Sequence, residues 1–301
     1  MTLSDRAYDA HERLVSPGRP AAALWRLPAG LVLIAAVALG LSAAFNAALA
    51  VLAPASWHLA MASDGGMGTA PGPMLVLLGS FGFVAIGVLV AAHLVQRRPP
   101  LGLIGPLPLA VVQFWRVLRM LLILGAVLLV LPPYDMGAAL SPNLPPATWA
   151  LLLPLSLGAV LIQAGTEELL FRGYIQQALA ARFSSPLVWM VLPSALFALG
   201  HYLPAEAGQN ALPIALWSGI FGVLMADLTA RAGTLGPAIA VHLVNNVSAL
   251  LIVSLPDTLS GLSLFTVPYS MSDAEALRGW LAIDFATMFV CWLAARLALR
   301  R

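Results

Sequence analysis

Three short stretches in the middle of this chain carry nearly all of its candidate chemistry. They read Gly165-Thr166-Glu167-Glu168-Leu169-Leu170-Phe171-Arg172-Gly173, then Phe197-Ala198-Leu199-Gly200-His201, then His242-Leu243-Val244-Asn245-Asn246. All three lie in long apolar runs, where an ionisable side chain is costly if the run crosses a membrane, so each is a functional candidate until a structural partner accounts for it. On a helix, residues four apart share a face and adjacent residues point about 100° apart. Glu168 and Arg172 then form a neutralised ion pair, and Glu167 is left on another face without a local partner. A membrane carboxylate that must find a distant partner suits a general base.

The turn at 182–186 decides whether Glu167 and His201 can meet. Counted from Ser184, Glu167 lies 17 residues back and His201 17 residues forward, so an antiparallel hairpin sets them at similar depth. That depth is roughly 25 Å along each helix at about 1.5 Å per residue. A later helix starting near Gly233 on the same side carries His242 and Asn246 one turn apart, at about 15 to 20 Å. Glu167, His201, His242 and Asn246 are therefore expected to converge. A carboxylate and an imidazole there would activate water, and an imidazole and a carboxamide would donate hydrogen bonds to a developing oxyanion. Asn245, three residues from His242, is the alternative amide. The chain has no Gly-x-Ser-x-Gly elbow and no His-Glu-x-x-His motif, which argues against serine hydrolase and zincin chemistry.

The elements that position these residues must be membrane helices. Of 301 residues, 60% are apolar and 9% charged, leaving too little polar surface for a soluble domain; the mean hydropathy is +0.92. Apolar runs fall near 28–53, 73–95, 109–131, 148–182, 187–203, 211–229, 234–254 and 278–298. A span takes about 20 residues, so the expected fold is all-α, a polytopic bundle of about eight transmembrane helices. The 148–182 run is too long for a simple span and is expected to tilt or kink. The arginines alternate between connections. One side holds the N-terminal group, Arg97, Arg98, Arg182, Arg231 and the C-terminal arginines, whereas 54–72, 132–147 and 204–210 contain no basic residue and only Arg278 marks 255–277. That split predicts both termini in the cytoplasm. The expected organisation is a cytoplasmic segment 1–27, N-terminal helices over 28–147, a core over 148–254, and a last outer loop, final helix and tail over 255–301. A net charge of +2 excludes nucleic acid as a partner. The lone Cys291 excludes a disulfide framework and a cysteine metal site.

The motifs Glu-Glu-x-x-x-Arg, Phe-x-x-x-His and His-x-x-x-Asn, in this order on successive helices, resemble the CPBP family over roughly residues 150–250. That family comprises the CAAX prenyl protease type II (Ras-converting enzyme) group and bacterial relatives linked to bacteriocin processing and self-immunity. The resemblance implies that Glu167 and His201 position and activate the water, that His242 and Asn246 form the oxyanion site, and that Glu168 and Arg172 brace the helix. It implies a peptide or membrane-protein substrate in the lipid bilayer, in a bacterial inner membrane. Family members are named both metalloproteases and glutamate-dependent proteases. If zinc is held, Glu167, His201 and His242 are its ligands. A metal-free glutamate mechanism is favoured because the sequence offers no carboxylate to stand behind either histidine.

The remaining polar residues have plainer readings. Asp227 and Arg231, four apart, form an ion pair; Asp284 has no visible partner and is a candidate for lining the cavity; His58 and His93 lie near span ends where a polar tip reaches water. Residues 1–27 read as a surface helix or tail. The competing functions are a non-catalytic scaffold or bacteriocin immunity protein with the same fold, and a small-molecule transporter. The transporter reading is weakened by the absence of paired repeats.

Overall fold

In the computed structural model, residues 7–64, 67–130 and 139–300 are described; Arg6, Arg301 and parts of the 54–72 and 132–147 connections lie outside them. Each of the eight apolar runs forms a helical segment: α1 (Arg26–Leu52), α2 (Pro71–Leu94), α3 (Leu107–Val130), α4 (Pro146–Arg182), α5 (Leu187–Gly200), α6 (Ala211–Ala232), α7 (Gly236–Ile252) and α8 (Ala274–Leu299). Six of these are long and apolar enough to cross a membrane, α6 together with the short turn that precedes it. The other two, α5 and α7, are shorter, so the expected eight full spans become six long helices and two short ones.

Prolines set several of the starts. Pro71 and Pro146 open α2 and α4, where the missing N–H is no loss, and Pro237 stands in the first turn of α7. Gly233 closes α6 in the left-handed conformation at φ 70°. The outer faces of the long helices are apolar and exposed, with Val51, Leu129 and Leu151 each more than 80% accessible. A water-facing surface does not look like this, whereas a lipid-facing one does.

The helices pack both with chain neighbours, α1 on α2 and α5 on α6, and with distant ones: α2 on α4 and α7 against both α3 and α4, with α8 closing against α3 and α6. Gly236 lets α7 approach α3 closely, since a Cβ there would run into the Ala110 carbonyl. A small sheet of β1 (Ser141–Pro142), β2 (Val253–Ser254) and β3 (Phe265–Thr266), in the order β1-β3-β2, ties the connection after α7 to the one before α4.

The expected irregularity in the long run is a π-helical stretch, Leu169–Ile175, inside α4. It begins immediately after Glu168 and contains Arg172, and such widened turns recur at functional sites. Two more occupy Leu187–Val191 in α5 and Ser248–Ile252 in α7.

The N-terminal segment, expected to be a surface helix or tail, forms short helical turns from Asp9 to Ala21 that dock on the helices. Leu14 and Val15 are fully buried, and His11 lies against the Trp189 ring with centroids 4.6 Å apart. Tyr8 donates to Asp227 Oδ1 at 2.9 Å, an oxygen that also receives Arg231 Nε at 2.8 Å, while Trp292 Nε1 donates to Oδ2 at 3.0 Å. The expected Asp227–Arg231 pair is thus the centre of a knot joining the N-terminal segment, α6 and α8. Apolar residues such as Leu14 and Val15, interleaved with arginines, were the signal that this segment docks.

Candidate active site

Helices α4, α5, α6 and α7 meet around a cluster of polar side chains walled by aromatic rings. From α4, Glu168 is fully buried, and its Oε1 lies 3.2 Å from Arg172 Nη1, one turn on. The same oxygen accepts a hydrogen bond from His242 Nδ1 at 2.8 Å. The other ring nitrogen of His242, Nε2, faces Glu167 Oε2 at 3.4 Å. One imidazole of α7 therefore stands between the two adjacent carboxylates of α4. With Nδ1–H given to Glu168, the ring orientation is fixed and Nε2 is presented to Glu167.

The structure sharpens one expectation and corrects another. The first concerns Glu167, which faces His242 across the cluster, while His201 makes its hydrogen bond to its own helix, its Nδ1 lying 2.8 Å from the Phe197 carbonyl at the end of α5. Because that contact requires Nδ1–H, the Nε2 lone pair of His201 is left free to accept. The helices do pair as a hairpin, with the Phe171 and Phe197 rings 5.0 Å apart, but equal depth did not make Glu167 and His201 direct partners. The second concerns the histidines, because a carboxylate does stand behind one of them. It is Glu168, which helix geometry alone had assigned wholly to Arg172. Among the described residues, Glu167, His201 and His242 are not gathered as a three-ligand metal group.

Phe197 links the two halves of the cluster, its ring 4.4 Å from that of His201 and 6.2 Å from that of His242. Phe221 stands 5.0 Å from His242 and is stacked on Trp217. Arg172 lies beneath this wall, its guanidinium 5.0 Å from the Phe197 ring, and its Nη2 donates to the Gly222 carbonyl at 3.2 Å. Apart from Phe197, these aromatic residues were not singled out from the sequence, where nothing separates them from lipid-facing ones.

Asn246 is held from two sides. Its Nδ2 donates to Gln163 Oε1 at 2.6 Å, and its Oδ1 receives Asn245 Nδ2 at 3.1 Å. The second N–H of Asn246 remains, with the amide orientation fixed, and Asn245 acts as the partner that fixes it. Gln163 is a site residue that sequence reasoning missed. The available signal was a buried polar residue one turn before Glu167 in an apolar run. Asp284 does not join the cluster; it is exposed on α8.

The fold and the cluster together define a polytopic helical membrane protein with a buried carboxylate–histidine–carboxamide site. Residues 148–248 match the family described as type II CAAX prenyl endopeptidase Rce1-like, in keeping with the CPBP resemblance. The match takes in α4, α5, α6 and most of α7, and leaves α1–α3 and α8 outside. The chain is also similar to "Uncharacterized protein YyaK" of Bacillus subtilis (strain 168), with 30% identity over 122 residues, 38% of this chain and 40% of the relative. The shared region is therefore less than half of that relative's length. No solved structure matches the chain.

Proposed function

We propose that this protein is an intramembrane endopeptidase, CAAX-protease-like, in which Glu167 activates water. The observation that carries this reading is His242 held between two carboxylates, with Nδ1 on Glu168 and Nε2 toward Glu167. Glu167 takes a proton from a water whose oxygen attacks the scissile carbonyl, and the free Nε2 of His201 helps to orient that water. The resulting oxyanion accepts hydrogen bonds from Asn246 Nδ2–H and from His242 Nε2–H. Collapse breaks the C–N bond as Glu167 returns its proton to the leaving amine. The Glu168–Arg172 pair holds His242 and does not touch the substrate.

The substrate in this reading is a peptide or a membrane-protein segment reaching the cluster from the bilayer. The protein lies in a bacterial inner membrane with both termini cytoplasmic; reporter fusions after residue 265 reading as cytoplasmic would remove that orientation. The reading is metal-free. Glu168 standing behind His242 removes the reason the sequence offered for this, and what supports it is that Glu167, His201 and His242 are not gathered as a metal-binding group among the described residues.

The test is incubation of the purified protein with membrane-proximal and prenylated peptides, read by mass spectrometry, beside a Glu167→Gln control. Cleavage that needs Glu167 and survives chelation is expected. Activity lost on chelation and restored by zinc would reject the metal-free part. Cleavage that Glu167→Gln leaves untouched would reject the site.

A further inference from the structure

The start of α1 and the ends of α2 and α4 meet the N-terminal segment around a small recess lined by Gly18, Arg26, Gln96, Arg98, Ala178 and Leu179. It lies apart from the glutamate–histidine cluster, and its chemistry is set by Arg98. That side chain is 2% exposed, and its Nη2 donates to the carbonyls of Leu14 and Gly102 at 3.1 and 3.2 Å. Its Nε and Nη1 have no acceptor from the protein. Buried arginines are normally paired with an anion, because a desolvated guanidinium is costly unless it is neutralised. The other buried arginine, Arg172, has Glu168, whereas no carboxylate is paired with Arg98 among the described residues.

The surrounding charge has the same sign. Arg26 donates through Nη1 to the Val95 carbonyl and lies over the Trp25 ring, and Arg97 is exposed next to Arg98. Arg19 is engaged by Glu12 at 2.7 Å, which leaves a cationic recess with no internal counter-ion among the described residues. Burial pushes the Arg98 pKa down to about 10, so the side chain stays cationic near neutral pH and cannot relieve the imbalance by losing its proton. The recess also stands at the ends of three membrane helices, beside exposed Leu24 and Trp25, at the level where a bilayer presents its phosphates.

We propose that this recess binds a phosphate group, with Arg98 as its buried anchor and Arg26 as its outer contact, supplied by an anionic phospholipid headgroup or by free phosphate. Arginine suits this ligand because its planar donors match phosphate oxygens. Gly18 lines the recess beside Arg98, and a Cβ there would meet Arg98 Nη1 at an ordinary contact distance of 3.5 Å.

The test uses full-length protein, delipidated in neutral detergent, with thermal denaturation followed during separate titrations of phosphatidylglycerol, phosphatidylcholine and inorganic phosphate at constant ionic strength. A saturable rise of several degrees with phosphatidylglycerol but not with phosphatidylcholine supports the site and names a lipid source. The same rise with millimolar inorganic phosphate supports it with a free-phosphate source. No saturable response, or equal responses to both lipids, overturns it. Because Arg98→Gln could fail to fold, Gly18→Leu, which fills the recess, and Arg26→Gln supply the controls. Each is expected to weaken the response at least tenfold, and unchanged titrations in both would overturn the assignment.

Discussion

Replacing Glu168 by glutamine separates the buried carboxylate's charge from its shape. The side chain is fully buried, and its Oε1 meets both Arg172 Nη1 at 3.2 Å and His242 Nδ1 at 2.8 Å. A glutamine carbonyl in the same place still accepts hydrogen bonds, so the loss is that of the negative charge. Arg172 would keep the Gly222 carbonyl and the Phe197 ring, but both contacts exist in the parent protein and offset nothing. Stranding one member of a buried pair costs about 3 to 5 kcal/mol. At roughly 2 to 4 °C per kcal/mol, Glu168→Gln should lower the denaturation midpoint on the order of 10 °C. Thermal denaturation in detergent, read by size-exclusion of the remaining monodisperse protein, measures this directly. Adding Arg172→Met removes the stranded cation and should recover most of the loss. A midpoint within about 2 °C of the parent, or a double variant no better than the single, would refute the claim that Glu168 neutralises Arg172.

Three further outcomes follow from the same geometry. Asn246→Ala should lower turnover about 10² to 10³-fold with little change in KM, as loss of an oxyanion donor does; full activity would transfer the role to Asn245 or abolish it. Gln163→Leu should lower kcat with KM unchanged and Gln163→Glu should partly restore it, because a carboxylate still accepts from Asn246; equal losses in both variants would mean that Gln163 only packs. His11 has its pKa lowered to about 4 by burial against Trp189, so the docked N-terminal segment is most stable above the unfolded value near 6.5 and should loosen as pH falls from there toward 4. Limited proteolysis of that segment should accelerate over this window by an amount equivalent to roughly 3 kcal/mol at most, and His11→Phe should remove the dependence.

Much of the fold was legible because hydropathy acts over whole segments. Every apolar run became a helix, and the run too long for one span became α4 with its π-helical stretch. The site was legible as a set of residues more than as a set of contacts. Helical spacing paired Glu168 with Arg172, but no spacing rule shows that α7 brings His242 onto the same Glu168 oxygen, because that depends on the rotation of α7 against α4. A depth count from the turn placed Glu167 level with His201 yet could not fix azimuth, and Phe197 came to lie beside both imidazoles. Gln163 and Phe221 escaped notice because one buried amide or ring in an apolar run looks like packing until a partner appears. The docking of residues 8–15 was not read because Leu14 and Val15 are few among charged neighbours, and their burial depends on partners far off in the chain.

The central claim is that Glu167 is the base of a membrane peptidase, and the most direct test is turnover of a cleaved peptide by the parent protein and by Glu167→Gln at matched thermal stability. The account predicts that turnover disappears while the denaturation midpoint falls far less than in Glu168→Gln, because Glu167 contacts His242 at 3.4 Å and the direct ion pair of Arg172 is with Glu168. Normal turnover in the folded variant would contradict it.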